Sequence, residues 1–113
     1  MKKILIIGAG GQIGSELTMR LRSVYGNQNV VATDMRGCPM LAANGPFVQL
    51  NALDGEAYAE VVKKYKIDAI YNLVALLSAV GEANPQKAWQ INMGALMNSL
   101  EIAREYNCAL FTP

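Results

Sequence analysis

At 113 residues the chain is the size of one α/β domain or of part of a larger one, and a hydrophobic content of 52% is ample for a core. Ten Lys and Arg against nine Asp and Glu leave a net charge of +1, with no basic block, which argues against nucleic acid and anionic membrane as partners. The sequence contains no His, so neither a His-based zinc site nor a Ser-His-Asp triad can be built from it.

Lys2 and Lys3 precede an apolar run, Ile4–Ile7, whose β-branched residues suit a strand buried on both faces. The run stops at Gly8, too soon for the apolar region of a signal peptide, and no stretch approaches the roughly 18 apolar residues of a membrane span. The two cysteines, Cys38 and Cys108, fall in no metal-binding or redox spacing. A cytoplasmic chain with reduced thiols is expected.

From Gln12 a helical stripe of Ile13, Leu17, Leu21 and Val24 runs to Gly26 and Asn27. Val30 to Ala32 forms a second strand closing on Thr33 and Asp34. Residues 35–46, with Gly37, Pro39, Gly45 and Pro46, read as an irregular connection. Phe47, Val48 and Leu50 mark a third strand. Asp54 stands at the N-cap of a helix with the stripe Tyr58, Val61, Val62, Tyr65.

Ile67 to Val74 reads as a fourth strand. Asn84-Pro85 then caps a long helix with Ala88, Ile91, Asn92, Ala95, Ser99, Ile102 and Tyr106 at helical spacing, and residues 108–113 give a fifth strand. This alternation predicts an α/β, Rossmann-like, doubly wound parallel sheet of order 3-2-1-4-5, one domain over residues 1–113 that stops after strand 5.

Gly8, Gly11 and Gly14 follow strand 1 and open the first helix. The first suits the turn, the second lets backbone approach a pyrophosphate, and the third permits close helix–strand packing. A tight strand-to-helix turn alone would also use glycines. Asp34 separates the two readings. It ends strand 2 about twenty residues beyond Gly14, where a carboxylate can take both hydroxyls of an adenosine ribose. The same charge would repel a 2′-phosphate and favours NAD, although Arg36, two residues on, could hold such a phosphate. No G-K-[ST] is present for a triphosphate loop.

With these glycines, the "NALD" of residues 51–54 and the "ALLSAVGE…NP…W.INMGAL.N.LE.ARE" pattern of residues 75–105, the whole chain resembles the extended short-chain dehydrogenase/reductase (NAD-dependent epimerase/dehydratase) family. Within that family its pattern is similar to the short-chain-type L-threonine 3-dehydrogenases. The resemblance implies NAD as cofactor, with Gly8, Gly11, Gln12 and Ile13 at the pyrophosphate and Asp34, Met35 and Arg36 at the ribose. It implies Asn51 and Ala52 at the adenine, Asn51 replacing the usual aspartate. Leu73, Val74, Ala75 and Leu76 would lie along the cofactor, with the Asn92 amide reaching it, while Trp89 and Met93 pack. Ser78, where nucleotide-sugar epimerases usually carry lysine, would border the substrate, L-threonine.

The family's chemistry needs a Tyr-x-x-x-Lys pair and an upstream Ser or Thr. Four residues after Tyr25, Tyr58, Tyr65, Tyr71 and Tyr106 stand Asn29, Val62, Ala69, Ala75 and Leu110, and the resemblance puts the catalytic serine just beyond Pro113. The expectation is the N-terminal portion of a longer enzyme, binding cofactor without catalytic residues, whose full-length form is a homodimer through helices that include the long one. Strand 5 as an edge and a bare apolar face beside the first helix predict an isolated chain that is aggregation-prone or markedly unstable. A nucleotide-sugar epimerase or dehydratase and a non-catalytic NAD(P)-sensing module remain alternative readings.

Overall fold

The structure, a computed structural model, describes residues 2–74 and 85–112. Five parallel strands lie in the order β3-β2-β1-β4-β5: β1 Ile4–Ile7, β2 Val30–Asp34, β3 Phe47–Gln49, β4 Ala69–Asn72 and β5 Ala109–Phe111. The helices are α1 Gln12–Tyr25, α2 Pro39–Asn44, α3 Gly55–Tyr65 and α4 Pro85–Glu105, with a short 3-10 turn at Asn27–Asn29. The expected strand order is the observed one. β4 and β5 are shorter than their apolar runs; Ile67 and Leu73, just beyond the ends of β4, are buried in the core.

β1 is the central strand and every one of its residues is buried, as a strand covered on both faces requires. Its alternate side chains feed two cores. Leu5 and Ile7 join Val31 and Ile70 beneath α3 and α4, where Tyr58, Val62 and Ile102 meet them. Ile4 and Ile6 join Val30, Ala32 and Leu41 on the opposite face, with Leu17 and Leu21 of α1 packed against them. Burial of this apolar surface, at about 25 cal/mol per Å², is the main force holding the layers together.

Local signals set the helix ends. Asp54 caps α3, its Oδ1 accepting from the Ala57 N–H at 3.2 Å. Past α4, Asn107 takes a left-handed conformation (φ 57°), and the Cys108 N–H turns back to the Ala103 carbonyl at 2.8 Å.

Three local expectations need correction. The line of α1 seated fully on the sheet is Gly14, Thr18 and Arg22, one residue on from the apolar stripe; Ile13 and Val24 are exposed. Gly14 is the cause, since a Cβ there would lie 2.6 Å from the Gly8 carbonyl oxygen and only a bare backbone brings α1 this close. Thr18 satisfies its buried hydroxyl on the Gly14 carbonyl at 2.7 Å.

Residues 35–46 are not wholly irregular. Pro39 opens α2 with a preset φ, and Leu41 drives its apolar side into the core. Arg22, buried at 2% exposure, ties this segment down. Its guanidinium donates to the Leu41 carbonyl (2.7 Å), the Pro46 carbonyl (2.7 Å) and the Val30 carbonyl (3.2 Å). Desolvation lowers its pKa, because burial disfavours the charged form. Trp89, expected to pack, is exposed on α4 together with Met97 and Leu100, and Met93 is only half-buried.

Candidate functional site

The connection after β1 crosses to one face through α1, and α4, between β4 and β5, packs on the other. A crevice therefore opens between β1 and β4 at the carboxyl ends of the strands, the place where open α/β sheets take ligands. Gly8 turns the chain out of β1 with φ 81°, and the Gly8 and Ala9 N–H groups donate to the Thr33 carbonyl, fastening this turn to β2. Gly11 is the N-cap of α1; no side chain caps the first turn and no acidic residue sits in it. Its N–H groups and the positive end of the helix dipole keep their capacity for a ligand anion.

Asp34 ends β2 only 6% exposed, and backbone holds both of its carboxylate oxygens. Oδ2 accepts from the Gly10 N–H at 2.6 Å and Oδ1 from the Arg36 N–H at 3.2 Å. The turn that follows is fixed from β3, where the Gln49 amide donates to the Met35 carbonyl at 2.9 Å. Asp34 is thus oriented before any ligand arrives.

A cavity of about 380 Å³ joins these parts. Gly8 and Ile7 form one wall, Asp34, Met35 and Arg36 another, and residues 50–53 a third; Val74, Ile91 and Ala95 close it from β4 and α4. Asn51 turns its Oδ1 onto the Leu53 N–H (3.0 Å), and Asn98 of α4 donates to the Ala52 carbonyl at 2.9 Å, so this third wall is locked to the long helix. Gly94 of α4 makes room for the Leu53 side chain, whose Cδ2 would lie 2.6 Å from a Cβ there.

Of the residues singled out in the sequence, Gly8, Asp34, Met35, Arg36, Asn51, Ala52 and Val74 line this one cavity. Gly11, Gln12 and Ile13 stand at the start of α1, outside its lining. Leu73 is buried against the α1 face, its N–H on the Ile7 carbonyl. Asn92 is half-buried on α4, and its sealed Oδ1 has no hydrogen-bond donor among the described residues. Ala75, Leu76, Ser78 and the expected cap Asn84 lie outside the described residues. Gly10 escaped sequence reasoning, although a Cβ there would run into the Asp34 carboxylate. Its signal was the glycine doublet Gly10-Gly11, of which the GxxGxxG spacing uses only one member.

Other buried polar groups are structural. Tyr58 and Ser99 share a buried hydroxyl–hydroxyl bond of 2.7 Å, and burial pushes the Tyr58 phenol well above its ordinary pKa. Burial likewise raises the Cys108 thiol, aided by the nearby Asp68. Among the described residues no group of His, Cys, Asp and Glu could hold a metal ion, and no helix is long and apolar enough to cross a membrane.

Known proteins are similar to this chain in sequence or in fold. An uncharacterised epimerase/dehydratase of Staphylococcus saprophyticus is 51% identical over the whole chain, and the chain spans 36% of its length. The L-threonine dehydrogenase of Clostridium difficile superposes with a TM-score of 0.91 at 50% identity, again over the whole chain and 36% of that protein. The dTDP-glucose 4,6-dehydratase of Bacillus anthracis, determined with NAD, is 20% identical with a TM-score of 0.78 and shares the fold over 99% of this chain and 37% of its own. The family model described as NAD dependent epimerase/dehydratase matches residues 4–112, and the chain belongs to that family.

Proposed function

We propose that this chain is the NAD-binding portion of a dehydrogenase that oxidises L-threonine to 2-amino-3-oxobutanoate. The observation that carries the reading is the pre-oriented Asp34 carboxylate at the rim of the switch-point cavity, one turn of chain from the uncapped start of α1. The residues fit a dinucleotide. The bare backbone at Gly8 and Gly11, with the N–H groups of Gln12 and Ile13, suits a pyrophosphate, and Asp34 suits a ribose diol. Met35, Arg36, Asn51 and Ala52 suit the adenine side. Leu73, Val74, Ala75 and Leu76 would run along the nicotinamide half, where the orphaned Asn92 Oδ1 would gain a donor.

Bound NAD would supply the hydride acceptor. In this chain's share of the work, backbone holds charge, Asp34 selects the sugar, and the apolar wall of Ile7, Leu50 and Ala95 excludes water. The proton acceptor would come from sequence outside these 113 residues. Ser78 would border the amino acid. The substrate reading rests on the 50% identity to an L-threonine dehydrogenase. The apolar stripe of Trp89, Met97 and Leu100 on α4 supports a homodimer joined through that helix.

Titration of the protein with NAD, with and without Asp34→Ala, tests the site. Saturable binding that weakens in the variant is expected, and no binding overturns the reading. NAD reduction on adding L-threonine tests the substrate; turnover of a UDP-sugar instead would replace the dehydrogenase by an epimerase.

A further inference from the structure

Residues 51–54 form the turn that bears most of the third wall of the inner cavity. The Asp54 N–H closes this turn on the Asn51 carbonyl at 2.9 Å. The peptide at its centre, between Ala52 and Leu53, is gripped at both ends. Its carbonyl accepts from the Asn98 amide at 2.9 Å, and its N–H donates to the Asn51 Oδ1 at 3.0 Å. The two groups of a trans peptide point in opposite directions, so together these side chains fix its plane. Leu53 adds a further hold, because its side chain seats against Gly94, one helical turn before Asn98 on α4. In the preceding peptide the Ala52 N–H has no acceptor among the described residues, although Ala52 is buried. A buried donor without a partner is one that a ligand can satisfy.

We infer that Asn98 is a positioning residue for the nucleobase: from the long helix it holds the Ala52–Leu53 peptide, and through it the turn, so that the Ala52 N–H is presented to the N1 acceptor of adenine. On the dinucleotide reading of the inner cavity, on which this rests, Asn98 acts through the wall and not on the cofactor. It is absent from the lining of that cavity and lines instead a groove of about 570 Å³ between α3 and α4. An asparagine serving α4 alone would bond within the helix, whereas this amide spans 46 residues of sequence to reach the wall. The chemistry of the base supplies a contrast. Adenine carries a lone pair at N1 and hypoxanthine carries N–H, so a fixed Ala52 N–H favours the first and opposes the second. A turn released from Asn98 loses that discrimination.

The test is calorimetric titration of the unsubstituted protein, Asn98→Leu and Asn98→Asp with NAD and with nicotinamide hypoxanthine dinucleotide, which differ only in the base. The unsubstituted protein should bind NAD about tenfold tighter than the analogue. Asn98→Leu removes the donor at similar volume. NAD should then weaken about fivefold and the analogue less than about twofold, so that the preference narrows. Asn98→Asp removes the same donor with almost no change of shape, and carries the test if Asn98→Leu does not fold by circular dichroism. A side chain that merely stabilised the packing of α4 would lower the melting temperature and weaken both dinucleotides alike. NAD binding with an unchanged preference in the folded variants therefore overturns the positioning role and leaves the dinucleotide reading intact. So does an unsubstituted protein that binds both dinucleotides equally. Failure of the unsubstituted protein to bind NAD defeats the dinucleotide reading, and the role of Asn98 with it.

Discussion

The Tyr58 hydroxyl of α3 and the Ser99 hydroxyl of α4 meet at 2.7 Å inside the core, far apart in sequence and both without solvent exposure. Each satisfies the other, and the pair stitches together the two helices that cover one face of the sheet. Tyr58→Phe leaves the Ser99 hydroxyl buried and unsatisfied, which should cost about 1–3 kcal/mol in urea unfolding. The double variant Tyr58→Phe with Ser99→Ala should recover part of that loss, because no orphaned hydroxyl remains. A double variant as unstable as the sum of its two singles would contradict this account.

The same phenol gives a pH dependence. Burial raises the folded-state pKa of Tyr58 above its ordinary value of 10.0, so the folded chain keeps a proton that the unfolded chain releases. Stability from this group is full below pH 10 and falls as pH rises above it. Alkaline unfolding followed by circular dichroism should begin above pH 10, and Tyr58→Phe should flatten that slope.

Gly10→Ala puts a methyl group into the Asp34 carboxylate. The carboxylate must leave the Gly10 N–H or the turn must shift, and either spoils its orientation. NAD affinity is expected to fall about tenfold, roughly the worth of one charge-assisted hydrogen bond. Measured by titration, an unchanged affinity would show that the pinned geometry is unnecessary.

Arg22 answers to three carbonyl oxygens and, among the described residues, to no carboxylate. Arg22→Met keeps much of the volume but strands those carbonyls, and a loss of about 3 kcal/mol is expected in denaturant unfolding. Arg22→Lys should fall between, since one ammonium cannot reproduce a planar fork.

Phe111 on the edge strand β5 stacks on Tyr71 with ring centroids 4.8 Å apart, and is 51% exposed. An apolar patch beside an unpaired strand edge favours association. The 113-residue chain expressed alone should sediment as more than a monomer, and Phe111→Glu should shift it toward monomer. A monodisperse monomer with a cooperative melt would refute the expectation.

Much of this arrangement is legible in the residues themselves. Ile4–Ile7 announces a central strand, Asp54 a helix cap, and the spacing from Gly14 to Asp34 the two lips of the crevice. Apolar periodicity misplaces the seated line of α1 because Gly14, Thr18 and Arg22 reach the sheet by smallness or by hydrogen bonding, which hydropathy does not register. It misses α2 because six residues bounded by Gly37 and Gly45 carry too few turns to show a period. Gly10 is marked in the sequence only by its doublet with Gly11, which does not reveal its role. Its partner Asp34 is distant in sequence and near only once β1 and β2 have paired.

The reach of Arg22 also bears on motion. The start of β2, α2 and the approach to β3 all hang from one side chain near the last turn of α1. The segment bearing α2 therefore cannot swing out as an independent flap. Its release is tied to unravelling at the end of α1, so amide protons in the two places should exchange with solvent at a common rate.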